Sequence, residues 1–225
     1  MNLIRNGSFE KAAQGFSPPT GNGEALASGS KAIAGWTVFG GVSGDALAWL
    51  PNGNSYGGST PYGSDFLDLT GYHDAKPYFG IEQTISTVVG TTYDLKFHLG
   101  VDNSSPLYSG PISVVAAAGS TSQDYTYDPK KAGNVWGKFT PEFTATSKKT
   151  LISLQGLSGD QYIGLDSVAV NPVADSPRPA GGVASSSVFV SAMAALHTGA
   201  TAVGRPSDAL EARMPVLVRP HTATA

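Results

Sequence analysis

Thr92-Tyr93-Asp94-Leu95-Lys96-Phe97-His98-Leu99 is the stretch that decides the fold class. Tyr93, Leu95, Phe97 and Leu99 fall on one side of an extended chain, and Asp94, Lys96 and His98 on the other. A period of two with one polar face marks a half-buried antiparallel strand. On this reading His98 is a solvated strand residue. Working outward, shorter runs of the same kind lie at Gly35–Phe39, Ala46–Leu50, Phe66–Thr70, Tyr78–Ile85, Ile112–Ala116, Gln123–Tyr127, Lys138–Thr144, Thr150–Gln155 and Tyr162–Val170. Clusters of Gly, Asn, Ser and Pro separate them. Many short strands joined by turns predict an all-β protein, a two-sheet antiparallel β-sandwich. The polar, Gly-rich stretches 11–34 and 51–64 read as long loops, where binding groups are often placed.

Composition narrows the function. Only 14% of the 225 residues are charged, against 28 Gly and 15 Pro, which excludes coiled coils and helix-rich bundles. The net charge of −3 comes with no basic patch, so no nucleic-acid partner is expected. Cysteine is absent, which removes disulfide scaffolds, Cys-ligated zinc and thiol catalysis. No nucleophile elbow or phosphate loop occurs, and none of the four His has metal-ligand spacing to another. The expectation is a protein that is not an enzyme.

The chain changes character near Asn171-Pro172. All Lys residues lie before that point, whereas residues 175–225 hold Arg178, Arg205, Arg213 and Arg219 and a single aromatic, Phe189. One aromatic among scattered Ala and Val cannot build a core. The expected organisation is a domain at 1–172 and a largely unstructured tail at 173–225. Residues 183–203 carry no charge but are too rich in Ser, Thr and Gly to be a confident membrane span. Besides a disordered tail, a degenerate anchor and a misread frame remain open readings. Truncation at about Val173 is expected to leave the melting temperature nearly unchanged, because no sizeable apolar area is lost. A fall of more than a few degrees would move the boundary. The N-terminus, MNLIRNGSFEK, has no apolar h-region, so no signal peptide is present in the sequence as given.

Two sets of residues carry candidate chemistry. In Gly164-Leu165-Asp166-Ser167-Val168-Ala169-Val170, a regular strand puts Asp166 on the core face with Val168 and Val170. A carboxylate there must be paired or neutralised. Asn6-Gly7-Ser8-Phe9-Glu10 places Glu10 at a strand-to-loop turn. If the first and last strands lie side by side, Ser8, Glu10 and Asp166 converge as an all-oxygen set suited to Ca²⁺, the alternative being a hydrogen-bonded Asp with no metal. The second set is aromatic. Trp49, Tyr56, Tyr62, Tyr78 and Tyr108 lie in or beside loops rich in Gly, Asn and Ser, with Asn52, Asn54, Asp102 and Asn103 nearby. Planar rings stack on sugar faces and polar neighbours bond the hydroxyls, the general physics of an amphipathic ligand site. Trp36 and Trp136 read as packing residues.

Taken in order, Asn2–Glu10, Gly35–Val38, Asp65–Gly71, Gly80–Ile85, Gly90–Phe97, Trp136 with Phe139 and Phe143–Ala145, and Leu165–Val168 resemble the galactose-binding-like jelly rolls. Within these the chain is most similar to a family of uncharacterised function found in plant cell-wall proteins and bacterial exported proteins of the PEP-CTERM type. The resemblance covers about 1–171. It implies a two-sheet jelly roll related to carbohydrate-binding modules, with a structural calcium carried over to Ser8, Glu10 and Asp166. The plant members have Cys and a second repeat, which this chain lacks, so it looks bacterial; the sorting-tail pattern is lost after Pro172. The expectation is a non-catalytic extracytoplasmic module, extracellular or at the cell surface, with a polysaccharide as partner. The alternative is a structural surface or matrix protein that binds other proteins.

Overall fold

The computed structural model describes residues 1–174, apart from 103, 105, 107 and 160. The tail expected at 173–225 lies outside the described residues beyond Ala174. The described chain forms strands β1 (Glu24–Leu26), β2 (Thr37–Gly40), β3 (Leu47–Pro51), β4 (Asp65–Asp68), β5 (Phe79–Ser86), β6 (Thr92–Asp102), β7 (Ile112–Ala118), β8 (Thr121–Tyr127), β9 (Asn134–Phe139), β10 (Glu142–Thr144), β11 (Lys149–Ser158) and β12 (Gly164–Pro172). One sheet runs β1-β3-β4-β12-β6-β10, with β9 also on β6; the other runs β2-β5-β11-β7-β8. Strands adjacent in space come from distant parts of the chain, and every pairing is antiparallel. This is the expected jelly-roll sandwich.

Alternation builds the core. Leu95, Phe97 and Leu99 of β6 are buried with Leu67, Leu165 and Trp49 of the same sheet. They face Ile81, Ile112, Val114, Ile152 and Leu154 of the other sheet. Each such side chain contributes about 1.5–3 kcal/mol on full burial. Two local rules modify the expected strands. The run 138–144 divides into β9 and β10 around Pro141, which has no N–H for a ladder and instead accepts a hydrogen bond from Leu95 N–H at 2.8 Å. The loop 11–34 contains β1 and an isolated bridge between Ala12 and Ile33.

The outer face of the seven-stranded sheet is not bare. Residues directly opposite each other on antiparallel strands share a face. The pairs Ala48–Asp68, Gly164–Asp68, Gly164–Gly100 and Gly100–Trp136 therefore run across it in one row. The loop 51–64 lies over part of this face. Asn52 bonds Thr60 and Gly63, and Asn54 bonds Pro51 and Gly58, so both amides hold the loop's own backbone. Trp136 Nε1–H donates to Ser59 O at 2.8 Å and Asn134 bonds Gly57 and Ser59, which ties the loop down to β9. Beneath the loop His98 is only 5% exposed, its ring 4.0 Å from that of Tyr62. His98 is thus covered rather than solvated. Burial, then the charge of Lys96, lowers its pKa to about 4.

Candidate functional site

Two places on this outer face gather polar groups. The first forms where the N-terminal segment meets β12. That strand pairs with β4 only at Gly164 and Leu165, leaving its edge open afterwards. The N-terminal segment takes that edge: Leu3 N–H donates to Val170 O and Val168 N–H to Gly7 O, each at 2.8 Å, and Asn2 Oδ1 accepts from Val170 N–H. On its other side Arg5 exchanges two hydrogen bonds with Gln83 of β5. Asn6 and Phe9 adopt left-handed backbone angles, φ 53° and 60°, which fold the turn so that Phe9 packs on Trp36. Ser8 is half-buried in this turn. Glu10 Oε1 accepts from Ser64 N–H at 2.9 Å and Asp65 N–H at 3.0 Å.

Asp166 is fully buried, but not in the core between the sheets. A bulge between Asp166 and Ala169, with Ser167 at φ 53°, shifts the register. Asp166 then lies opposite His98 on the outer face while Val170 points to the core. The extra residue inverts the parity that regular alternation predicts. Thr60 Oγ1–H donates to Asp166 Oδ2 at 2.5 Å. Burial raises the Asp166 pKa from 3.8 to about 7, and the charges of Glu10 and Asp65 add to the rise. Asp65 is raised to about 6 by burial and then by Glu10. Three carboxylates therefore feel one another. Among the described residues the ion pairs are His73–Asp45 and Lys130–Asp128, and neither serves this cluster.

The second place is a cleft of about 130 Å³. Ala48, Leu50 and Asp68 of β3 and β4 line it together with Asp102 at the end of β6. The rest of its wall is loop: Tyr56, Tyr72, Asp74, Tyr108, Gln161 and Tyr162. Tyr56 meets Tyr72 edge-on at 6.3 Å, and Tyr108 meets Tyr162 at 6.2 Å. Asp68 Oδ1 accepts from Thr70 N–H, Thr70 Oγ1–H and Ile163 N–H, which clamps the end of β4. Burial nonetheless raises its pKa to about 7, against the lowering effect of those bonds. Asp74 is raised by burial, with Asp45 adding to the rise. Tyr72 is pushed up to about 12, first by burial and then by Tyr56, Glu24 and Asp68.

The five sequence-selected aromatics divide among three environments. Tyr56 and Tyr108 line the cleft. Tyr62 lies elsewhere, edge-on to Trp136 at 5.9 Å, beside a shallow groove that also includes Tyr127, Lys130 and Lys131. Trp49 and Tyr78 are core residues, 0% and 2% exposed, and cannot offer a ring to a ligand. Trp49 points between the sheets because its partner in the register is the inward Leu67; the Tyr78 hydroxyl donates to Gly159 O at 2.6 Å. Asn52 and Asn54 are likewise taken up in their own loop. Tyr72, Asp68, Asp74, Gln161 and Tyr162 carry no mark in the sequence as a group, since only the jelly-roll crossovers bring their loops together.

An all-β jelly roll with a loop-walled cleft over one sheet is the class of protein these features define. The chain belongs to the DUF642 family of proteins of unknown function, whose model matches residues 2–175. No curated protein matches it. Among solved structures it is similar to a CBM4 module at 18% identity, over 76% of this chain and 99% of that one, with a TM-score of 0.41. It is also similar to TmCBM61, solved with β-1,4-galactotriose, at 13% identity, over 77% and 99% of the two chains, TM-score 0.43. A third is the CBM22-1 xylan-binding domain from Paenibacillus barcinonensis, at 12% identity, over 68% and 97%, TM-score 0.40. What those proteins bind is a property of theirs. No helix among the described residues is long and apolar enough to cross a membrane.

Proposed function

We propose that the protein is a non-catalytic carbohydrate-binding module that recognises a polysaccharide outside the cytoplasm, free or at the cell surface. The observation that carries this reading is the cleft, where tyrosine rings and hydrogen-bond acceptors line one open space. A pyranose ring has apolar C–H faces and a rim of hydroxyls. Tyr56, Tyr72 and Tyr108 supply surfaces for the faces; Asp74, Asp102 and Gln161 supply acceptors for the rim. Asp68 serves structure, since three donors hold it across the end of β4.

Affinity gels containing xylan, cellulose or pectin test the reading. Retardation on one of them is expected, and Tyr56→Ala or Tyr108→Ala should weaken it roughly tenfold, about 1.4 kcal/mol. Folded protein that migrates freely through all three gels, yet is retained with cell-wall protein in the presence of free sugar, would replace this reading with that of a protein-binding matrix component.

We also propose that Ser8, Glu10 and Asp166 hold a structural Ca²⁺, with Asp65 beside them. The cluster suits a hard cation, because its carboxylates lie in one another's field and no Lys or Arg is paired with them. Among the described residues no three His, Cys, Asp or Glu side chains are gathered closely enough to be a metal centre alone. Hydroxyl and backbone oxygens must therefore complete the shell, as calcium sites commonly allow. Both Asp166 oxygens already accept one hydrogen bond, from Thr60 and from Ser167 N–H, and each keeps a lone pair.

A further inference from the structure

We infer that the cleft sorts glycans by charge, favouring chains that carry free amino groups over neutral ones and rejecting uronates. This rests on the reading of the cleft as the glycan site. Three carboxylates line it, those of Asp68, Asp74 and Asp102, and no Lys, Arg or His is among its lining residues. The surroundings add more negative charge: Glu24 acts on Tyr72, and Asp45 acts on Asp74. His73, which contacts Asp45 at 3.0 Å, also acts on Asp74 and offsets part of its charge, and Lys76 lies over the Tyr78 ring at 5.3 Å. Asp68 is held by three donors, and burial, and last the charge of Asp74, raise its pKa to about 7, so Asp74 and Asp102 are the carboxylates left to meet a charged ligand.

The rings point the same way. A tyrosine face carries a negative quadrupole and attracts an ammonium, and Tyr56, Tyr72 and Tyr108 surround the same space as the carboxylates. Tyr162 adds a buried hydroxyl with no partner, close to Gly58 of the cleft wall. A sugar ammonium gains from carboxylates and ring faces together. A neutral hydroxyl gains only hydrogen bonds. A uronate meets like charge in a partly desolvated space whose lining includes no Lys, Arg or His.

Three oligomers of one glucan backbone isolate the effect: a cello-oligosaccharide, its C6-oxidised uronate form, and a chitosan oligomer. Titration calorimetry under mildly acidic conditions keeps the amine protonated. Chitosan is expected to bind about tenfold more tightly than the neutral chain, and the uronate about tenfold more weakly. High salt should narrow both ratios. The double variant Asp74→Asn, Asp102→Asn should bring the three affinities within a fewfold of one another. Uronate binding as tight as neutral binding, or retention on neutral xylan or cellulose without any on chitosan, overturns the charge rule and leaves the glycan reading standing. Free migration on xylan, cellulose and pectin together with no binding to chitosan overturns both.

Discussion

Millimolar Ca²⁺ is expected to raise the melting temperature of the protein by roughly 5–10 °C over EDTA, and Asp166→Asn and Glu10→Gln should each erase most of that response. A ligand that binds only the folded state stabilises it by about 2.7 kcal/mol at a hundredfold excess over its dissociation constant. For a chain of this size 1 kcal/mol moves the midpoint by roughly 2–4 °C. The pH dependence supplies an independent check. The carboxyls of Asp166 and Asp65 titrate at about 7 and about 6 in the folded protein, against an ordinary value of 3.8. The folded state therefore binds more protons than the unfolded state between those limits, and stability falls as pH rises through the window. In EDTA the protein should melt lower at about pH 8 than at about pH 5. Calcium competes with those protons, so its stabilising effect should be larger at the higher pH. The Asn and Gln variants keep an oxygen acceptor for Thr60 or for the 64–65 backbone, which separates loss of the ion from loss of the fold. Identical melting in EDTA and in millimolar Ca²⁺ would remove the ion from the description. The hydrogen-bonded cluster would then stand alone.

Gly7→Ala should be the most damaging single methyl group in the described chain. A Cβ at Gly7 would lie 1.8 Å from the Val168 carbonyl oxygen and 2.9 Å from its carbon, both backbone atoms of the bulged strand. Neither can rotate away. The turn would have to leave β12, breaking the bond from Val168 N–H to Gly7 O and releasing the edge that Leu3 occupies. The expected loss is about 3–5 kcal/mol, or a fall in melting temperature on the order of 10 °C. The calcium response should go with it, because Glu10 follows the same turn. Gly15→Ala is the control: nothing lies within 4 Å of its Cβ, and only the left-handed angle of φ +88° is penalised, by about 1–2 kcal/mol. Equal melting temperatures for the two variants would show that the turn does not need its close seat on β12.

Strand content and the sandwich follow from local patterns. Tyr93 to Leu99 alternates in the sequence and alternates in β6, because a buried sheet face imposes the period of two directly. The position of the N-terminal turn beside the last strand was also legible, from the Asn-Gly-Ser-Phe-Glu run and the late Asp. Pro141 is a different case. Its effect on the strand at 138–144 was visible in principle, since a residue without N–H interrupts a ladder, but the continuous run of β-forming neighbours conceals it.

What the sequence determined by itself is whatever depends on near neighbours: which segments are extended, which of their faces is apolar, and where the turns fall. Only the tertiary structure decided which face of a strand meets which layer. Trp49 and Tyr56 look alike as aromatics beside a loop, yet one is sealed between the sheets and the other lines the cleft. His98 sits on a polar face that water should cover, but loop 51–64 covers it instead. Asp166 changes sides because one bulged residue inverts every later parity. The cleft depends on crossovers that bring residues 56, 72, 108 and 162 together. Such contacts join positions dozens of residues apart, so no period or local preference in the chain encodes them, and they exist only once both sheets have formed and carried their loops to the same end.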